Sequence, residues 1–257
     1  MLVHRYGPKV HIDDNPSLAA WLARLCSPDC RQPELNTLVE YLYTSLITTV
    51  VAREFPKKKI AVPTRMTAMH PDCLLHTEVP EPKTRVVTVN LARAGTFPSH
   101  ICYQTLNTLL DPELLRQDHI LASRLTGDKD QVTGAQLGSA KIGGDVNNAV
   151  VLYPDPMGAT GSTLVSAIDY YKTSVGGTPQ KIVALHFIVT PEYLKKVTAA
   201  HPDLVIYALR VDRGLSPKDV LQTTPGEHWD RERGLNAKQY IVPGGGGFGE
   251  VMNNSWV

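Results

Sequence analysis

Residues 155–163, Asp155-Pro156-Met157-Gly158-Ala159-Thr160-Gly161-Ser162-Thr163, gather a carboxylate, two glycines and three hydroxyls in one short stretch. Such a stretch suits a phosphate. Gly158 and Gly161 let the backbone approach closely, and Thr160, Ser162 and Thr163 offer hydroxyls beside the N–H groups of a helix start. No Lys follows Gly161, so the Walker pattern that grips the distal phosphates of a nucleoside triphosphate is not met, and ATP hydrolysis is disfavoured. The same residues also describe an ordinary helix entry, with Ser162 or Thr160 as cap and the glycines as turn formers. Two arginines stand in comparable places, Arg93 ahead of Ala94-Gly95 and Arg124 after an apolar run. The planar donor fork of an Arg at a strand tip can clamp a pyrophosphate; the alternative is a plain salt bridge to a neighbour.

These residues need elements to hold them. Residues 149–153 are apolar and β-branched, bounded by Asn147-Asn148 and Pro154, the pattern of a strand buried on both faces of a parallel sheet. Beyond the Gly/Thr/Ser turn, Leu164, Ile168, Tyr171 and Val175 recur at helical spacing until Gly176-Gly177. The turn therefore lies at the carboxyl end of a strand, where open α/β sheets bind ligands. Residues 85–91 and 120–124 read as two more strands, ending at Arg93-Ala94-Gly95 and at Arg124, with helix-forming residues 101–110 between them. Three strand tips carrying Arg93, Arg124 and Asp155 would converge on one crevice. Residues 181–189 form a further buried strand in which His186, among apolar neighbours, reads as a core histidine. Pro191 opens a helix with Tyr193, Leu194 and Val197, and residues 204–209 make the next strand. Alternation of strand and helix indicates a mainly parallel sheet wrapped by helices.

Ahead of this core, an extended lead-in precedes a helix from Pro16 with Leu18, Trp21, Leu22 and Leu25 on one face. A second, over residues 33–52, carries Leu35, Leu38, Val39, Leu42, Leu46 and Val50. Residues 54–84 are polar and proline-rich and read as a mobile arm, with Lys57 to Lys59 as a solvated face. Its His70, Asp72, Cys73 and His76 match no standard zinc spacing. Residues 128–145, rich in Gly, Asp and Gln, read as a loop or ribbon.

The likeness of residues 155–163 to D-P-M-L-A-T-G-G-S, the phosphoribosyl-pyrophosphate (PRPP) loop of uracil phosphoribosyltransferases, is specific, and three further segments follow in the same order. Leu91-Ala92-Arg93-Ala94-Gly95 resembles that family's L-R-A-G turn, Arg124 falls where it keeps a second PRPP-binding Arg, and Tyr240-Ile241-Val242-Pro243-Gly244 matches the start of its uracil-binding segment. From about residue 10 to the end, the chain is similar to that family in order and separation. The resemblance implies a single phosphoribosyltransferase-like α/β domain over 1–257 with a small hood or arm: helices at about 16–52, a PRPP-binding core at about 85–215, an insertion at about 216–233 and a base-binding segment at 239–250. It implies that residues 159–163 cradle a 5′-phosphate and that Asp155 accepts from ribose hydroxyls. Pro156, Met157 and Gly158 would complete the PRPP loop, and Arg93 and Arg124 would neutralise pyrophosphate. Asp155 and Arg124 would be catalytic, and Ile241, Gly246, Gly247 and Phe248 would meet the base. Mg²⁺ would be held mainly through PRPP and water, with no dedicated protein metal site. The expected partners are PRPP and a nucleobase, most directly uracil, and a second copy in a homodimer or higher homo-oligomer, with subunit contacts through the first two helices.

The departures from the family pattern are equally definite. Gly158 replaces a Leu, Gly247 replaces the first Asp of G-L-G-D-x-G-D, and Glu250 replaces the second. They leave room for a different base, or for a PRPP-binding regulatory homologue without turnover. The inserted residues 216–233, with Glu227-His228-Trp229-Asp230, would be a lid, a subunit contact or a longer loop. Four glycines at 244–247 imply a loop costly to order.

Composition agrees with such a protein. The 257 residues are 42% hydrophobic and 20% charged, enough for a full core. Lys+Arg 26 against Asp+Glu 25 gives no global field toward nucleic acid or an anionic membrane. Cys26, Cys30, Cys73 and Cys102 are too few and scattered for a disulfide scaffold. With no apolar signal core or membrane-length run, the expected location is the cytoplasm.

Overall fold

The structure, a computed structural model, describes residues 1–126 and 132–255, with side chains throughout these except in 122–126 and 132–137. Ten strands are present among them: β1 (Val10–Ile12), β2 (Lys57–Val62), β3 (Leu75–Pro80), β4 (Val86–Ala92), β5 (Leu115–Thr126), β6 (Val132–Lys141), β7 (Val150–Pro154), β8 (Met157–Gly158), β9 (Lys181–Val189) and β10 (Val205–Val211). The helices are α1 (Pro16–Leu25), α2 (Glu34–Glu54), α3 (Thr96–Asn107), α4 (Ser162–Ser174), α5 (Pro191–Ala200), α6 (Lys218–Leu221) and α7 (Phe248–Asn253). The main sheet has the order β1-β10-β9-β7-β4-β5-β6, with the short β8 also pairing β9. Every pairing in it is parallel except β5 with β6.

Alternation along the central strands feeds two cores. Val150 and Leu152 of β7 pack with α1, α2, α3 and α7 on one face, joined by Val183, Leu185 and Phe187 of β9. Val151 and Tyr153 point the other way, into the layer formed by Leu164, Ala167, Ile168 and Tyr171 of α4 and Tyr193, Leu194 and Val197 of α5. A strand covered on both faces must be apolar at every position, and β7 is. The chain leaves β4 toward β5 through α3 but leaves β7 toward β9 through α4, on opposite sides of the sheet. The neighbouring β4 and β7 therefore form its switch point, and their carboxyl ends open a crevice between diverging connections.

The sequence places most elements within a residue or two, with some instructive differences. Trp21, expected on the inner face of α1, is 39% exposed and packs instead at a tilt against Tyr41 of α2, with ring centroids 5.2 Å apart and planes 42° apart. Residues 54–84, expected as an arm, contain the antiparallel hairpin β2–β3, registered from Lys57 opposite Pro80 to Val62 opposite Leu75. All three lysines of β2 are exposed. Helix α3 starts at Thr96, before the expected 101, because Gly95 already forms its cap. Strand β5 begins at Leu115, five residues before the expected 120, runs past Arg124 to Thr126 and pairs with β6, the ribbon anticipated for 128–145. Among the described residues, no helix is long and apolar enough to cross a membrane.

Residues 216–233 are tied into the fold. The Glu232 carboxylate, 1% exposed, accepts from the Tyr6 hydroxyl at 2.6 Å, the Gly226 N–H at 2.8 Å and the Arg213 guanidinium at 2.8 Å. Trp229 donates its indole N–H to the Pro191 carbonyl at 2.9 Å and packs edge-on against Tyr6. These residues thus brace the N-terminal segment against α5 and the end of β10.

Candidate active site

A cavity of about 140 Å³ opens at the carboxyl ends of the central strands. One wall is Asp155 together with residues 157–164; another is Arg93 and Ala94; the third runs through residues 239–241 and 246–250. Three sequence segments that are far apart in the chain therefore meet in one space. Of the residues singled out from the sequence, Arg93, Asp155, Met157, Gly158, Ala159, Thr160, Gly161, Ser162, Thr163, Ile241, Gly246, Gly247 and Phe248 all line it. Pro156 lies behind the wall, where its carbonyl accepts from the N–H groups of Phe187 and Ile188. Arg124 sits on β5 opposite Ala135 of β6, three positions beyond Leu121, the last partner of β4; its side chain lies outside the described residues. Residues 216–233 contribute nothing to the lining.

The loop after β7 is fixed through its carbonyls. Gly158 O accepts from the Thr190 N–H at 3.1 Å, and Ala159 O from the Thr190 hydroxyl at 2.7 Å. With the loop fastened to the end of β9, the first turn of α4 meets the cavity with N–H groups that have no intrahelical acceptor. The cap is Gly161 at φ 79°, a left-handed residue with no side chain to satisfy those donors. The expectation of a cap at Ser162 or Thr160 is replaced by this geometry: Ser162 is the first helical residue, its hydroxyl receiving the Lys196 ammonium at 2.6 Å, and the Thr160 hydroxyl meets the Ser162 N–H only at 3.5 Å. Exposed amides, a helix dipole and a nearby cation make a site for an anion.

Beneath the loop lies a pair, His186 and Tyr193, that sequence spacing does not connect. His186 Nδ1 is hydrogen bonded to the Asp155 carbonyl and Nε2 to the Tyr193 hydroxyl. A carbonyl can only accept, so Nδ1 carries the proton and Nε2 accepts from Tyr193. Burial pushes the His186 pKa down to about 4, which keeps the ring neutral. The Tyr193 phenol is raised well above its ordinary value, first by burial and then by the Asp155 charge, so it stays a donor. His186 is the core histidine the sequence suggests, with the added task of holding Asp155's main chain. Tyr193 also fills the space above Gly158: a Cβ there would stand 2.9 Å from Val189 Cγ1 and 3.2 Å from the Tyr193 ring. The missing side chain of the loop is matched by an aromatic ring from α5.

The Arg93 turn fits against the end of β7 because Gly95 has no side chain; a Cβ would approach Leu91 O to 2.7 Å and Pro154 O to 3.0 Å. Arg93 pairs with Glu250 at 2.8 Å, the two side chains being 37% and 13% exposed. The glycine run is anchored at its first member. Asp212, 2% exposed, accepts from the Gly244 N–H at 2.7 Å and holds Arg210 through two bonds of 2.6 and 2.8 Å, while Arg210 also donates to Gly244 O. Part of the ordering cost expected for four glycines is thereby met within the fold.

Among the described residues, no group of three or more His, Cys, Asp or Glu side chains is placed to hold a metal ion, the 70–76 cluster included. The cavity does offer two carboxylates, Asp155 and Glu250. That donor set fits Mg²⁺ as it usually binds, through one or two carboxylates, water and substrate phosphates.

Comparison with known proteins matches this arrangement. The model of the family described as uracil phosphoribosyltransferase covers residues 12–232, stopping short of the glycine-rich wall. The uracil phosphoribosyltransferase of Acinetobacter baylyi is 36% identical over 115 residues; the match spans 45% of this chain and 44% of that protein's length. A solved structure of the AQ2163 protein from Aquifex aeolicus is similar in fold across 95% of this chain and 97% of its own, with a TM-score of 0.70 at 20% identity. With the family model matched over residues 12–232, most of this chain, and the loop, turn and sheet in their expected places, the chain belongs to the uracil phosphoribosyltransferase family.

Proposed function

We propose that this protein transfers the phosphoribosyl group of PRPP to a nucleobase, with uracil as the base and UMP and pyrophosphate as products. The observation that carries the reading is the meeting, in one cavity, of the loop after β7, the Arg93 turn and the segment containing residues 241 and 246–248. A base nitrogen forms a bond to the anomeric carbon as the bond to pyrophosphate breaks. Pyrophosphate leaves with the electron pair, and the base nitrogen gives up its proton to solvent water. Positive charge develops on the ribose, so the residues need to hold the reactants in line and stabilise charge; no protein nucleophile is required. The open amides of α4 with Thr160, Ser162 and Thr163 receive the 5′-phosphate, Asp155 accepts from the ribose hydroxyls, and Arg93, with Arg124, takes the pyrophosphate. Mg²⁺, held by Asp155 or Glu250 together with substrate oxygens and water, would screen pyrophosphate charge. Main-chain groups at 241 and 246–248 read the base edges. In the same reading the protein works as a homo-oligomer in the cytoplasm, with α1 and α2 at the subunit contact.

The test is formation of nucleoside monophosphate and pyrophosphate from PRPP across a panel of free bases. UMP from uracil supports the reading. Turnover with another base instead would reassign specificity, and PRPP binding without turnover on any base would make the protein a nucleotide-responsive regulator.

A further inference from the structure

Gly247 and Glu250 stand one turn apart at the start of α7, the Glu250 N–H bonding Gly247 O at 3.0 Å. That turn folds the Glu250 side chain back across residue 247. A Cβ built on Gly247 would lie 1.8 Å from Glu250 Oε2 and 2.9 Å from its Cδ. The space into which a side chain at 247 would project is therefore filled by the carboxylate of residue 250. Its other oxygen, Oε1, bonds Arg93 Nη2 at 2.8 Å, and all three residues line the cavity beside the Asp155 wall.

We propose that Glu250 supplies, from one helical turn away, the carboxylate that position 247 lacks, and that it competes with pyrophosphate for the Arg93 guanidinium. The proposal rests on the phosphoribosyl-transfer reading and deepens it. A pyrophosphate carries more charge and more acceptor oxygens than a carboxylate, so it takes the guanidinium when it enters. Glu250 is then released within the same cavity. An ionised carboxylate is an acceptor only, and there it meets a ribose hydroxyl or a hydrated divalent cation. The substitution of Gly at 247 and the longer acid at 250 are thus one change: Glu, with one methylene more than Asp, reaches the space that an Asp at 247 would occupy directly.

Calorimetric titration with inorganic pyrophosphate tests the competition without turnover, using wild type and two variants. Glu250→Gln removes the competing charge. Gly247→Ala keeps it but places a methyl where Oε2 lies; the backbone φ of −73° admits a side chain, and the flexible Glu250 end has to swing away from Arg93. Both variants should bind pyrophosphate about two- to five-fold more tightly than wild type, the scale of a half-exposed ion pair. PRPP-dependent turnover should fall in both variants, most in Glu250→Gln, which loses the acid outright, and less in Gly247→Ala, where the acid remains but is displaced from the space over residue 247. Pyrophosphate affinity unchanged or weakened in both variants, with wild type binding normally, overturns the inference and leaves the function intact. Wild type that binds neither pyrophosphate nor PRPP overturns the phosphoribosyl-transfer reading, and this inference with it.

Discussion

Gly158→Leu restores the residue found in the family's loop pattern, and the structure says it will not be tolerated here. The first atom added would already stand 2.9 Å from Val189 Cγ1 and 3.2 Å from two ring carbons of Tyr193, and three more carbons follow it into that space. Backbone flanks the site as well, since Gly158 O is bonded to the Thr190 N–H, so the strain falls on the Tyr193 ring. Overpacking of this kind costs about 1–3 kcal/mol. If the ring turns away, His186 Nε2 loses the Tyr193 hydroxyl and becomes a buried acceptor without its donor, adding about 1–3 kcal/mol. For a chain of this size each kcal/mol lowers the melting temperature by about 2–4 °C, so the combined loss of about 2–6 kcal/mol should lower it by roughly 4–24 °C. Tyr193→Ala alone should cost about 3–5 kcal/mol through the cavity it leaves. The decisive measurement is the double variant: a Leu at 158 fills part of the space vacated by the ring, so the pair should be less destabilised than the sum of the singles by about 0.5–3 kcal/mol. Urea and thermal denaturation of the four proteins give the cycle. Additivity within about 0.5 kcal/mol would refute the idea that Tyr193 replaces the missing loop side chain.

Asp155→Asn should lower turnover far more than it weakens binding of ribose 5-phosphate, by about 1.5–3 kcal/mol in the turnover barrier, because the loop amides remain while the ribose contact changes; equal losses in the two assays would refute that division. Arg93→Ala should raise the PRPP concentration needed for half-maximal rate and leave the melting temperature within a degree or two, since the side chain is over a third exposed and its ion pair is correspondingly weak; steady-state kinetics beside calorimetry separates the two effects. His186 makes stability depend on pH with a definite sign. Its pKa is depressed from 6.5 to about 4 in the folded protein, so between those values the unfolded chain binds the extra proton. That stability is complete above pH 6.5 and drains away as pH falls toward 4, by about 3 kcal/mol in all. Denaturation of wild type and His186→Gln at pH 7 and pH 4.5 checks it: an equally steep acid slope in the variant would remove His186 from the account.

What the sequence makes legible is what local patterning controls. The strand ending at Pro154 announces itself because a strand covered on both faces has no polar position to spare, and β9 falls on the anticipated residues 181–189 for the same reason. The turns after β4 and β7 follow from glycines that nothing bulkier could replace at a sheet's switch point, as the 2.7 Å approach of Leu91 O to a Cβ at residue 95 makes plain. The hairpin β2–β3 was harder to read because its six-residue strands are largely exposed and carry charge, so neither has an apolar face to give a period-two signal. Trp21 lies outside the sheet-facing stripe for a related reason: helical spacing gives a stripe, but not whether its edge meets the sheet or a neighbouring helix surface.

The sites where the family pattern breaks obey a different logic. Read along the chain, Gly158 and Gly247 are two losses, one of packing and one of charge. In space each is answered by a residue from another position: Tyr193 enters over Gly158 from the first turn of the following α5, and Glu250 reaches over Gly247 and pairs with an arginine 157 residues earlier. A motif records which positions usually carry the atoms, whereas the cavity constrains only where the atoms are. A ring or a carboxylate delivered from a neighbouring backbone position meets the same constraint, provided the donor residue is itself held in place. The Tyr193 ring is held by its hydrogen bond to a neutral, buried His186, and Glu250 by the helical turn that begins at Gly247. Substitutions inside a recognised motif are therefore poor evidence of lost function until the space above the altered residue has been inspected, and at both glycines that space is full.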